Sequence, residues 1–183
     1  MAYFFFDYKD TGKQDAHALL SSVLIQLSNQ FDTFCNILLA SYSAHYHGLE
    51  KPTDRALMQC LEDILGVPGK TPLYLIIDAL DECPITNGTS SPRDKVLALV
   101  EKVVGLNLPH LRLCITSRPE IDIRNTLGPL TSNCMSLHDQ SGQKKDIVDF
   151  VRSKVESDKY MRRWRDEDRL LVIETLADRA DGM

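Results

Sequence analysis

Three carboxylates stand within five positions at the end of Leu73-Tyr74-Leu75-Ile76-Ile77-Asp78-Ala79-Leu80-Asp81-Glu82-Cys83, directly after five apolar residues. A continuous apolar run of this length reads as a central parallel strand buried on both faces. In open parallel sheets, ligands bind outside the carboxyl ends of the strands. Asp78 stands at that edge. A carboxylate there holds Mg²⁺ directly or through water, while the metal bridges nucleotide phosphates. Glu82, about one turn further on, is spaced to orient or polarise an attacking water, and Asp81 to share the metal shell or fix the loop. The plainer alternative is an acidic turn after a buried strand. Such a turn needs one Asp or Asn rather than three carboxylates, so the pattern favours chemistry.

A second apolar strand ends in polar residues at Leu111-Arg112-Leu113-Cys114-Ile115-Thr116-Ser117-Arg118-Pro119-Glu120. The stretch between the two strands is about long enough for one helical crossover, which sets them side by side. Arg118, with the Thr116 hydroxyl before it, then faces the same crevice as Asp78. A guanidinium beside a transferring phosphate stabilises charge and registers whether the γ-phosphate is present. The alternative is an ordinary helix-capping turn, with Arg118 paired to Glu120 or Asp122.

The elements that must position these groups follow from periodicity. Tyr3 to Phe6 reads as a strand. From about Asp15 to Phe31, Leu20, Val23, Leu24, Leu27 and Phe31 make one helical stripe, and Leu57, Leu61 and Ile64 make another after a Pro52-Thr53 start signal. Ser91-Pro92-Arg93-Asp94 opens a helix with a capping box, and Val96, Leu97, Val100, Val103 and Val104 supply its buried face. A helix is expected from Glu120, a strand near Asn133 to Leu137, and two closing helices at about 142–156 and 166–180. Strands separated by helices mean βαβ units and an α/β parallel sheet flanked by helices.

The acidic segment Asp78-Ala79-Leu80-Asp81-Glu82-Cys83 resembles the Walker B motif of NACHT NTPases, and Thr116-Ser117-Arg118-Pro119 resembles their sensor 1. The opening Tyr3-Phe4-Phe5-Phe6-Asp7 and the closing Ala180-Asp181-Gly182-Met183 are similar to the fungal, nephrocystin-type NACHT proteins of the STAND P-loop class. The resemblance spans nearly the whole chain, 1–183, with the helical end of the core at about 140–183. It implies a cytoplasmic signalling ATPase in which ATP with Mg²⁺ drives a switch and homo-oligomerisation. Asp78 is then the metal ligand, Glu82 and Asp81 the catalytic acids, and Arg118 with Thr116 the nucleotide contacts. It also implies effector and ankyrin, WD40 or TPR repeat domains, which this chain does not carry.

The family's P-loop is expected before the first strand and is not found. Asp10-Thr11-Gly12-Lys13-Gln14 lacks the following Ser or Thr. Gly66-Val67-Pro68-Gly69-Lys70-Thr71 runs into Pro72 and a strand, not a helix. A P-loop aims helix N-terminal N–H groups at phosphate, so both read as turns. The expected fold is therefore a P-loop NTPase-type sheet without its first strand, held by a chain cut short of that loop. Such a chain does not hold nucleotide firmly alone, which keeps a second function open: a nucleotide-free interaction or inhibitory module docking on intact NACHT proteins.

The remaining signals are mostly exclusions. The chain has 183 residues, 43% hydrophobic and 26% charged, with net charge −5. That is one ordinary domain with no general pull toward nucleic acid or anionic membrane. No apolar run suggests a membrane span, and the N-terminus is not a signal peptide. Cys35, Cys60, Cys83, Cys114 and Cys134 are isolated and odd in number, so free and mostly buried thiols in a reducing compartment are expected. His45 and His47 lack further ligands for a metal. The Asn87 sequon matters only in a secreted chain. Arg162-Arg163-Trp164-Arg165 reads as a solvated junction between helices rather than a nucleic-acid patch.

Overall fold

The computed structural model describes residues 1–44, 51–68, 72–86, 90–136 and 141–179. His45, His47, Gly69 to Thr71, the Asn87 sequon and Ala180 to Met183 lie outside them. The chain divides into two compact units, Met1–Thr131 and Ser132–Met183.

The first unit carries β1 (Ala2–Phe5), α1 (Ala16–Ser28), α2 (Asp32–Ala44), α3 (Asp54–Leu65), β2 (Leu73–Asp78), α4 (Pro92–Gly105), β3 (Leu111–Ile115) and α5 (Ile121–Leu127). The strands form a parallel sheet in the order β1-β2-β3, with Phe4 opposite Ile77 and Ile77 opposite Ile115. This is the expected α/β architecture, with the acidic strand in the middle.

Local chemistry sets the helix starts. The Asp15 and Thr53 side chains accept from the N–H groups of Ala18 and Ala56, capping α1 and α3. At α4 the Ser91 hydroxyl accepts from Asp94 N–H while the Asp94 carboxylate accepts from Ser91 N–H, a complete capping box with Pro92 in the first turn. Hydrogen bonding to the carboxylate from the Ser91 backbone N–H, and then from the Ser91 side chain, holds the Asp94 carboxyl below its ordinary value.

The core gathers Ala2, Phe4, Leu75 and Ile77 from the sheet with Leu20, Leu24, Leu61, Ile64, Val96 and Val100 from the helices. The opposite face is different. Tyr3, Phe5 and Tyr74 are about half exposed, so β2 alternates instead of being buried on both faces. Right-handed crossovers between strands in sequential order lay their helices on one side only, which is why the double burial expected from the apolar run does not occur.

One edge of the sheet is covered by side chains. Along β1, the Gln26 amide accepts from Tyr3 N–H and donates to Tyr3 C=O, and Gln30 does the same for the amino group and carbonyl of Met1. Gln26 of α1 and Gln30 just beyond its end thus occupy groups a further strand would use.

Other expectations shift. The stripe drawn to Phe31 stops earlier: Asn29 N–H closes α1 on Ile25 and Leu27 carbonyls, and the exposed Phe31 packs edge-on against Phe34 of α2. Asp10 caps a short 3-10 turn at Thr11–Lys13, as read for that Gly-Lys fragment. Cys60 and Cys83 are buried, Cys35 is half-buried, and Cys114 and Cys134 are exposed, so the thiols are free but not mostly buried.

The second unit contains α6 (Ser141–Ser157) and α7 (Asp166–Arg179), joined through a 3-10 turn at Met161–Arg163. Val155, Ile173 and Ala177 are its buried apolar residues among those described. Asp158 accepts from the N–H groups of Tyr160 and Met161, which fixes the turn and holds its carboxyl below the usual range. Residues 133–136 form no strand, and Leu137 lies outside the described residues. Polar Ser132, Asn133 and Ser136 leave too short an apolar run there for a strand.

Candidate functional site

β2 and β3 end side by side. Thr116 N–H donates to Ile77 C=O at 2.9 Å, and Leu80 N–H returns a bond to Thr116 C=O at 3.0 Å. Between these bonds the chain turns sharply at Ala79, whose φ of 54° is left-handed. For an L-residue with a Cβ this conformation is strained. Ala79 N–H is held by Thr116 Oγ1 at 3.0 Å, and the Thr116 hydroxyl donates to Asp78 Oδ1. The strand-end carboxylate is thus oriented from the neighbouring strand.

The turn carries on through a 3-10 segment, Leu80–Glu82, with Leu80 fully buried as its anchor. Asp81 leans toward the β3 loop. Its Oδ1 accepts Arg118 N–H at 3.0 Å, and its Oδ2 lies 3.5 Å from Arg118 Nε. Arg118 therefore pairs with the acidic turn, not with Glu120 or Asp122. Glu82 points the other way, where Oε2 accepts Tyr8 N–H from the loop after β1 at 3.1 Å. Asp81, Glu82 and Arg118 share the wall of an open cleft of about 500 Å³ with Tyr8, Arg93 and Glu120. Asp78 and Thr116 form a separate pair at the adjoining strand end.

The three carboxylates serve three different partners, and the described residues hold no group of three or more His, Cys, Asp or Glu side chains able to share a metal. Asp78 still fits Mg²⁺, which takes one or two protein carboxylates and completes its shell with water and phosphate oxygens. The Arg118 side chain, 73% exposed, is the cation best placed to meet an anion in the cleft.

The sequence marks Arg93 only as a helix-start residue, yet it is 6% exposed and faces the turn from inside. Its position signals this. Arg93, Val96, Leu97, Val100 and Val103 share one helical stripe, so a guanidinium sits where an apolar side chain is expected. Cys83, next to it, donates its Sγ–H to Gln14 C=O, and burial pushes the thiol up to about 12 against the opposing pull of Arg93.

Among the described residues no helix is long and apolar enough to cross a membrane. No curated protein and no solved structure matches the chain. The family model described as nephrocystin 3, N-terminal, matches residues 1–118, which cover the whole sheet, the acidic turn and Arg118. That match takes in well over half of the chain, and the chain belongs to the nephrocystin 3 N-terminal family.

Proposed function

We propose that this chain carries the Walker B and sensor 1 side of a NACHT-type signalling ATPase of the fungal STAND kind. The observation behind the reading is the pairing of the two motif-like segments across adjacent parallel strands. Thr116 orients Asp78, and Asp81 holds Arg118. In this reading Asp78 holds Mg²⁺, and bound Mg²⁺ neutralises phosphate charge. Glu82 polarises the water, Asp81 supports the turn, and Arg118 with Thr116 addresses the γ-phosphate. Slow ATP hydrolysis in the cytoplasm then resets a switch whose ATP-bound form homo-oligomerises, in innate immunity or self/non-self recognition.

A second reading, a nucleotide-free module docking on intact NACHT proteins, draws on the exposed aromatic residues Tyr3, Phe5 and Tyr74 of the uncovered sheet face. Titration with fluorescent ATP and Mg²⁺ separates the two. Saturable binding that Asp78→Ala abolishes while the fold is retained supports the nucleotide reading and means that the acidic strand end holds nucleotide even without a P-loop. A folded chain that binds nothing, or binds equally well with Asp78→Ala, overturns it in favour of the docking module.

A further inference from the structure

We propose that Arg93 is the positioning residue of the cleft, setting the acidic turn from beneath and, through Asp81, the place of Arg118. Arg93 Nε donates to Cys83 C=O at 2.8 Å, and its Nη2 donates to Asp81 C=O at 2.5 Å. Its Nη1 lies 3.3 Å from Asp122 Oδ2. One planar fork therefore fixes two carbonyls of the turn and one carboxylate of α5. A lysine ammonium is a point donor and does not reproduce this geometry. The main chain reinforces the contact, since Arg93 N–H donates to Pro84 C=O at 3.3 Å.

These contacts close a ring. Arg93 holds the Asp81 carbonyl, the Asp81 carboxylate holds Arg118 N–H, and four residues further along the chain Asp122 returns to Arg93. The acidic turn and the arginine loop are thus set relative to each other by a cation that reaches the cleft wall while staying almost wholly buried. A charge kept 6% exposed is expensive to desolvate unless its donors are used. Here Nε and both terminal nitrogens are. The proposal rests on the nucleotide reading for the purpose of this positioning, but not for the positioning itself.

The test is backbone amide exchange of the ¹⁵N-labelled full chain without nucleotide, so that failure of ATP binding has no bearing on it. In Arg93→Lys, the amides of Arg118 and Cys83 are expected to exchange roughly tenfold faster, while those of Leu75 and Ile77 in the core stay protected as before. Asp122→Asn, which keeps both carbonyl contacts, gives a smaller change at the same two amides. If Arg118 exchange in Arg93→Lys stays within about twofold of wild type, or if protection falls equally across β2, the positioning role is wrong and Arg93 only supports the domain as a whole. Should Arg93→Lys not fold, Asp122→Asn decides alone: a selective change at Arg118 and Cys83 supports the ring, and none overturns it.

Discussion

Tyr74 and Leu75 are neighbours in one strand, yet Tyr74 is 50% exposed and Leu75 only 5%. The same division runs across the sheet. One face, with Ala2, Phe4, Leu73, Leu75 and Ile77, is packed under helices. The other carries Tyr3, Phe5, Tyr74 and Cys114 in contact with solvent, and Asp78 and Thr116 continue that face at its carboxyl end. Successive side chains of a strand point to opposite faces, so a shift of one residue moves a group from core to site. The covered face supplies rigidity; the uncovered face keeps its polar end open to solvent.

The comparison breaks most easily at Ile77, which is 1% exposed. Ile77→Ala should lower unfolding stability by about 3 kcal/mol, read from denaturant midpoints at constant slope. A loss below about 1 kcal/mol would mean the packed face is looser than its burial indicates.

The thiols sharpen the same contrast. At pH 8, Cys114 should alkylate at least about a hundredfold faster than Cys83, which must open to react. Equal rates in the folded chain would contradict the burial of Cys83. The raised Cys83 value has a pH signature as well. A thiol held at about 12 in the fold, against an ordinary 9.0, favours folding below about pH 9 and loses that contribution as pH climbs toward 12. Alkaline melting of the wild type should therefore fall more steeply than that of Cys83→Ala.

The smallest effect belongs to Tyr74. Tyr74→Ser should shift stability by no more than about 0.5 kcal/mol, as for an exposed position, while reducing concentration-dependent association measured by light scattering. A loss comparable with that of Ile77→Ala would show that the aromatic face is packed after all.

Several features were legible from pattern alone. The carboxylates after Ile77, the capping box at Ser91 and the single helix between the two motif-bearing strands each depend on residues close in sequence, and each appears as read. The second helix was missed because α1 and α2 are separated by only Asn29 to Phe31, with no Gly or Pro to mark the break. The open face of β2 was missed for another reason. An apolar run specifies a strand, but whether a layer covers each side depends on which way the crossovers turn. Arg118 illustrates the same limit: its choice of Asp81 over Glu120 or Asp122 is made by a contact across 37 residues.

By itself, then, the sequence determined the chemistry available at the strand ends: carboxylates after β2, hydroxyls and a guanidinium after β3, each set by local periodicity and turn chemistry. Only the tertiary structure decided how they are shared out. It pairs Asp78 with Thr116, Asp81 with Arg118 and Glu82 with the Tyr8 backbone, and it places Arg93 beneath the turn. The physical reason is directionality. Hydrogen bonds and ion pairs form only between groups that the packed sheet has already brought within reach at the right angle.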